Sequence, residues 1–207
     1  MKKALVEMIG TFFLVLVIAL TGNPLAIGAI LMVMVYAGGY ISGGHYNPAV
    51  TLAVLLQKKI ELNEAWTYIF SQLGGAIVAS LVFIYLRGTS LVISPAITTT
   101  YSQALLVEVL FTFALATVVL NTAVSKKNTP NSFYGLAIGL TVMAGAFSGG
   151  AISGGAYNPA VGVGPMIVNT ARGGEFTPTL FSLYTVGPFL GAFFASVVYK
   201  YTTSSKK

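Results

Sequence analysis

Ile41-Ser42-Gly43-Gly44-His45-Tyr46-Asn47-Pro48-Ala49-Val50 recurs as Ile152-Ser153-Gly154-Gly155-Ala156-Tyr157-Asn158-Pro159-Ala160-Val161. Only His45 against Ala156 differs. An internal repeat sets the architecture before any local feature does. Here it divides the chain into two similar halves, about 1–100 and 101–207. Each half carries a Gly-rich loop that ends in Asn-Pro-Ala, a pattern suited to a helix start. Proline at the first helical position forfeits no needed hydrogen bond, and the asparagine before it can cap the exposed amides.

The chain around the repeats is 56% hydrophobic and 8% charged over 207 residues. Soluble domains carry about 25% charged residues, so this composition indicates a membrane protein. With no cysteine, one histidine and five acids, thiol chemistry is excluded and little remains for a metal, cofactor or acid–base site. Net charge is +6, but the lysines sit in tight groups between apolar runs, which reads as membrane topology and not as a nucleic-acid surface.

A membrane-crossing helix needs about 20 apolar residues. Six stretches qualify: about 4–22, 24–42, 64–86, 103–124, 132–149 and 179–200. The runs after the repeats, about 48–57 and 159–169, are too short to span and are read as half-helices that re-enter the membrane. Met1-Lys2-Lys3 followed by apolar residues mimics a signal peptide. Glu7 within the run argues against that, as does the likeness of Glu7-Met-Ile-Gly-Thr-Phe12 to Glu108-Val-Leu-Phe-Thr-Phe113.

With six spans, Lys2, Lys3, Lys58, Lys59, Lys126, Lys127, Lys200, Lys206 and Lys207 fall on the side of both termini, and Arg87 and Arg172 on the other. The positive-inside rule then places both termini in the cytoplasm of a cell membrane, plasma or inner. Three spans per half force the second half to insert upside down. Inverted repeats of this kind place their site near the midplane, where broken helices meet. Irregular backbone at that depth must be buried or line a wet cavity. The carbonyls of Gly43, Gly44, His45, Ser153 and Gly154 are therefore expected to line a path. Two half-helix N-termini meeting there would raise a positive ridge of about half a charge each. Asn47 and Asn158 would present amide donors to it.

The paired motifs Asn47-Pro48-Ala49 and Asn158-Pro159-Ala160 resemble the aquaporin, or major intrinsic protein, family. So do Glu7-x-x-Gly-Thr-Phe12, Gln72-x-Gly-Gly-Ala76 and Gly187-Pro-x-x-Gly-Ala192, and the likeness covers nearly the whole chain. The resemblance implies an all-α membrane protein, with six transmembrane helices plus two re-entrant half-helices in an inverted repeat, forming one channel domain over 1–207. It also implies a passive water channel with one pore per subunit and four subunits per assembly. In the family, the buried acids, here Glu7 and Glu108, support the Asn-Pro-Ala loops. The symmetric placement of the two acids favours that scaffold over a proton relay. His45 is expected to brace its loop. Gly74, Gly75, Gly187, Gly191, Ala79 and Ala195 are expected to permit close helix crossings.

The sequence departs from the family at the outer constriction. Many members carry Arg after the second Asn-Pro-Ala, where this chain has Val161. Counting back from the motifs gives Ile27, Ala146, Gly155 and Val161 as the constriction, a set with no polar side chain. Such a ring is expected to be wider and more hydrophobic than in a strict water channel, which opens the alternative of a facilitator for glycerol, ammonia, urea or hydrogen peroxide. Tyr157, Tyr40 or Arg172 swinging into the mouth would narrow it. An apolar ring can also gate by dewetting, so a structural protein with an occluded pore is a second alternative. A secondary transporter would need a coupling-ion site, for which only Glu7 and Glu108 offer themselves. An intramembrane enzyme lacks any assembled catalytic set.

Overall fold

The computed structural model describes residues 1–204. It consists of eight α-helices: α1 Lys2–Thr21, α2 Pro24–Ser42, α3 Pro48–Leu56, α4 Leu62–Arg87, α5 Tyr101–Val119, α6 Tyr134–Ser153, α7 Pro159–Ala171 and α8 Pro178–Thr203. A π-helical turn, Leu120–Val124, prolongs α5, and with it six helices are long and apolar enough to cross a membrane. Helices α3 and α7 are the short ones. Lys206 and Lys207, assigned above to the lysine-rich side, lie outside the described residues.

Local chemistry accounts for the helix ends. Asn23 Oδ1 accepts from Leu25 N at 2.9 Å and Pro24 opens α2. Asn47 and Asn158 do the same for α3 and α7, accepting from Ala49 N and Ala160 N at 2.8 and 2.9 Å, with Pro48 and Pro159 first in the helix. Thr100 and Gln103 form a capping box on α5. α2 and α6 stop at Gly43 (φ 94°) and Gly154 (φ 89°), a left-handed conformation that glycine adopts without steric cost.

The halves pack alike. α1 lies on α4 and α5 on α8, while α2 crosses α6 between the halves. At this last crossing, Gly28 and Gly139 face each other's backbone: a Cβ on Gly28 would sit 2.7 Å from Gly139 O, and one on Gly139 2.5 Å from Gly28 O. α5 runs opposite to α1, because three spans separate their starts. The repeat is therefore inverted.

The span expected at about 132–149 is Tyr134–Ser153. The tandem glycines Gly149 and Gly150 suggest a stop, but packing overrides the weak propensity. Tyr157 Oη lies against Gly149, and Ser153 Oγ donates to Glu108 Oε1 at 2.7 Å, so the helix is held to its last turn. The half-helix expected at 159–169 continues to Ala171.

Gly75 and Gly191 occupy matched crossings. A Cβ on Gly75 would strike Met8 O and lie 3.0 Å from Phe12 N, and one on Gly191 would sit 2.5 Å from Val109 O. Gly74 corrects the expectation made for it: its Cβ would meet nothing within 4 Å, so it serves no close crossing. Gly75→Ala is therefore expected to cost about 1–3 kcal/mol through overpacking. Gly74→Ala should gain up to about 1 kcal/mol of helix propensity. Melting temperatures of the purified variants in detergent test this, and equal shifts of the same sign would refute it.

Candidate functional site

Each loop that carries Asn-Pro-Ala hangs from a fully buried glutamate. In the first half, Glu7 of α1 accepts four hydrogen bonds. Ser42 Oγ (2.6 Å) and His45 N (3.0 Å) donate to Oε1, and Tyr46 N (2.7 Å) and Gln72 Nε2 (2.8 Å) to Oε2. In the second half, Glu108 of α5 accepts three, from Ser153 Oγ (2.7 Å), Ala156 N (3.1 Å) and Tyr157 N (2.7 Å). A carboxylate offers acceptors only, about four sites, which suits loops whose inward N–H groups have no helical partner. Tyr68 Oη on Ser42 O and Tyr184 Oη on Ser153 O, both at 2.7 Å, tie the loops to α4 and α8.

These anchors hold a strained backbone. Tyr46 and Tyr157 have φ of 50° and 48°, a left-handed conformation that costs a non-glycine residue about 1–2 kcal/mol. Besides the glutamates, each tyrosine's own hydroxyl secures it, on Met34 O and Gly145 O, both at 2.9 Å. The rings fit because Gly10, Gly38 and Gly149 leave room for them. The strain turns the following asparagine toward the middle of the molecule.

There the two loops clasp. Asn47 Nδ2 donates to Tyr157 O, and Asn158 Nδ2 to Tyr46 O, each at 2.9 Å. A side-chain amide has two N–H groups. The clasp takes one from each asparagine, and the second has no protein partner among the described residues, at the wall of a cavity of about 370 Å³. Both asparagines line this cavity. The N-termini of α3 and α7 converge on it, so their dipoles add a positive potential at the same place.

Ile27, Ala146, Gly155 and Val161 all border this cavity, as do Gly44, His45 and Gly154. Gly43 and Ser153 do not. Gly43 edges a separate surface pocket near Tyr134, and the Ser153 carbonyl is taken by Tyr184. Pro48 and Pro159 border a different, apolar cavity on the far side of the half-helices. Phe147, next to Ala146, is 65% exposed and points outward. Tyr157 borders the cavity but is buried and fixed, so it cannot swing into the mouth, while Tyr40 is 83% exposed and Arg172 sits at the exposed end of α7, and neither of these two lines the cavity. Leu91 and Ile93 do, from the loop between α4 and α5 that Ala96 N pins to Ile152 O at 3.2 Å. Neither residue carries a motif, and the one signal for them in the sequence is an apolar run too short to span, stranded in a loop.

The halves are not equal around their glutamates. His45 Nδ1 meets Thr51 Oγ1 at 3.1 Å, and Gln72 Nε2 bridges Thr51 Oγ1 (3.0 Å) and Glu7. The equivalent positions in the second half are Ala156, Gly162 and Pro188. Gly162 leaves no space for a side chain, since a Cβ there would overlap Tyr184. Beyond the contacts to its glutamate, the second loop is thus braced by packing where the first gains further polar contacts.

The sequence model of the family described as Major intrinsic protein matches residues 1–199. Aquaporin AqpM of Methanothermobacter thermautotrophicus is 34% identical over 241 residues, covering 98% of each chain. Aquaporin NIP1-1 of Zea mays is 33% identical over 207 residues, or 92% of this chain and 71% of that protein. The X-ray structure of the aquaglyceroporin from Plasmodium falciparum superposes with a TM-score of 0.83 at 20% identity, over 96% of this chain and 94% of that one, a likeness of fold. Joined to six spans, two half-helices and paired Asn-Pro-Ala loops, these similarities show that the chain belongs to the major intrinsic protein family of membrane channels, and it is not an enzyme.

Proposed function

We propose that the chain is a passive channel for water, with 1–207 acting as one channel domain built from inverted repeats of about 1–100 and 101–207. The observation that carries this reading is the asparagine clasp, which leaves one N–H of Asn47 and one of Asn158 at the cavity wall. A water held there turns its oxygen to both donors and its hydrogens away, so a proton wire through the centre is broken. Pore diameter, lining groups and positive half-helix ends set selectivity in aquaporin-type pores, and the last two are present. In this reading Asn47-Pro48-Ala49 and Asn158-Pro159-Ala160 are the pore motifs, Glu7 and Glu108 their supports, and Ile27, Ala146, Gly155 and Val161 the outer filter. Both termini face the cytoplasm and four subunits assemble.

A second reading, a facilitator for small neutral solutes such as glycerol, is favoured by one feature. The filter ring has no polar side chain, and two of its members are Ala and Gly. Stopped-flow light scattering on reconstituted vesicles separates the readings. Under a sucrose gradient, water flux is expected to exceed that of protein-free vesicles with a low activation energy. Flux indistinguishable from empty vesicles would overturn conduction and leave an occluded pore. Saturation with dependence on an ion gradient would mark a transporter.

A further inference from the structure

On the side of the half-helices away from the cavity lies a groove of about 530 Å³ whose walls offer no polar atom. Leu62, Trp66, Ile69 and Leu73 of α4 form one wall, at the spacing of a single helix face. Leu52 and Leu55 of α3 form another, with α7 and α8 closing the far side. Thr185 borders it, but its hydroxyl is turned back onto Phe181 O at 2.7 Å. From Leu62 to Leu73 at 1.5 Å per residue the groove runs about 16 Å along the helix, roughly half the ~30 Å hydrocarbon core. That is the depth of one leaflet. At its outer end, the connection from Leu55 to Leu62 carries Lys58 and Lys59, both exposed.

We propose that this groove is a binding site for an anionic phospholipid, one acyl chain lying along α4 and α3 and the headgroup meeting Lys58 and Lys59. Charge identifies the occupant. The chain has five acids. Glu7 and Glu108 are buried beneath the loops, and Glu64 is paired with Lys3 Nζ at 2.7 Å. Glu175 lies beyond α7, three spans away from Lys59 and so at the opposite membrane face. Glu61 alone remains near the lysines and leaves their segment net positive. A second copy inserted the same way round brings its own lysines to this membrane face, Lys58 and Lys59 or Lys126 and Lys127, adding repulsion. A lipid phosphate brings the missing negative charge and an apolar chain of matching depth. Trp66, stacked on Phe70 at a 6.0 Å centroid distance, sits one turn inside the lysines, where an aromatic side chain meets the headgroup level.

Trp66 is the single tryptophan of the chain, so its fluorescence reports the groove directly and independently of any conduction. The protein is reconstituted in phosphatidylcholine vesicles containing equal fractions of either dibrominated phosphatidylglycerol or dibrominated phosphatidylcholine, the bromines quenching on contact. The anionic lipid is expected to quench with about a fivefold apparent preference, the order for one net cation at an anionic headgroup. Lys58→Ala with Lys59→Ala should remove that preference. Lys126→Ala with Lys127→Ala, which takes the same charge from the same membrane face, should keep it. Equal quenching by the two lipids would overturn the proposal. So would a preference that survives loss of Lys58 and Lys59, or one lost equally when Lys126 and Lys127 are replaced.

Discussion

Glu7→Leu is expected to prevent the protein from accumulating in a folded form. The substitution keeps an apolar side chain of similar reach but leaves Ser42 Oγ, His45 N, Tyr46 N and Gln72 Nε2 without their acceptor. Ser42 and Gln72 can turn to other partners. The two backbone amides cannot, because Tyr46 holds a left-handed φ and its ring is locked against Gly10 and Gly38. Each orphaned buried donor costs about 1–3 kcal/mol, so the two amides alone cost on the order of 2–6 kcal/mol, before any cost of re-partnering Ser42 and Gln72. Protein stabilities lie at about 5–15 kcal/mol. Glu108→Leu orphans three donors and should be the milder lesion. Size-exclusion profiles and yields in detergent, followed by vesicle water permeability, check both. A monodisperse Glu7→Leu protein with wild-type permeability would show that the loop does not hang from this residue.

The same pair of glutamates shows how much of the molecule was legible in its residues. The repeat, the six apolar runs and the two Asn-Pro starts are local or periodic signals, and they place the eight helices to within a few residues. Matched acids in the first two turns or so of matched spans point to a shared structural task. What local signals could not supply is the cross-loop clasp. Asn47 meets the carbonyl of Tyr157 and Asn158 that of Tyr46, partners more than a hundred residues apart that only the inverted packing brings together. The lining by Leu91 and Ile93 was hidden for the same reason, because a loop's position follows from what it docks on, here Ile152. The π-helical turn Leu120–Val124 is also a tertiary effect. Asn131 Nδ2 reaches back to Thr122 O at 2.7 Å, and Asn128 Nδ2 to Asn121 O at 3.1 Å, giving those carbonyls partners outside the helix.

Val161→Arg is expected to suppress glycerol flux by at least about tenfold while leaving water flux within a few-fold of the parent. Val161 borders the same cavity as Ile27, Ala146 and Gly155, the three residues proposed with it above as the outer filter. A guanidinium there adds bulk where Ala and Gly left space, and it adds a fixed positive charge. An intramembrane arginine is costly unless it faces water or backbone acceptors. Here the cavity and the non-helical loop Gly154–Ala156 provide that surrounding. Glycerol must exchange several hydrogen bonds with water to enter a narrowed ring, whereas a single water loses little, since the guanidinium can donate to it. A loss of about 1.4 kcal/mol in the barrier difference already gives a tenfold change, so the effect needs only one poorly replaced hydrogen bond. Vesicles under a glycerol gradient, with the melting temperature of the variant as a check on folding, read the outcome. Unchanged glycerol flux in a stably folded variant would place the constriction elsewhere, at the asparagine clasp. Loss of water and glycerol together would mean that the arginine plugs the ring instead of filtering through it.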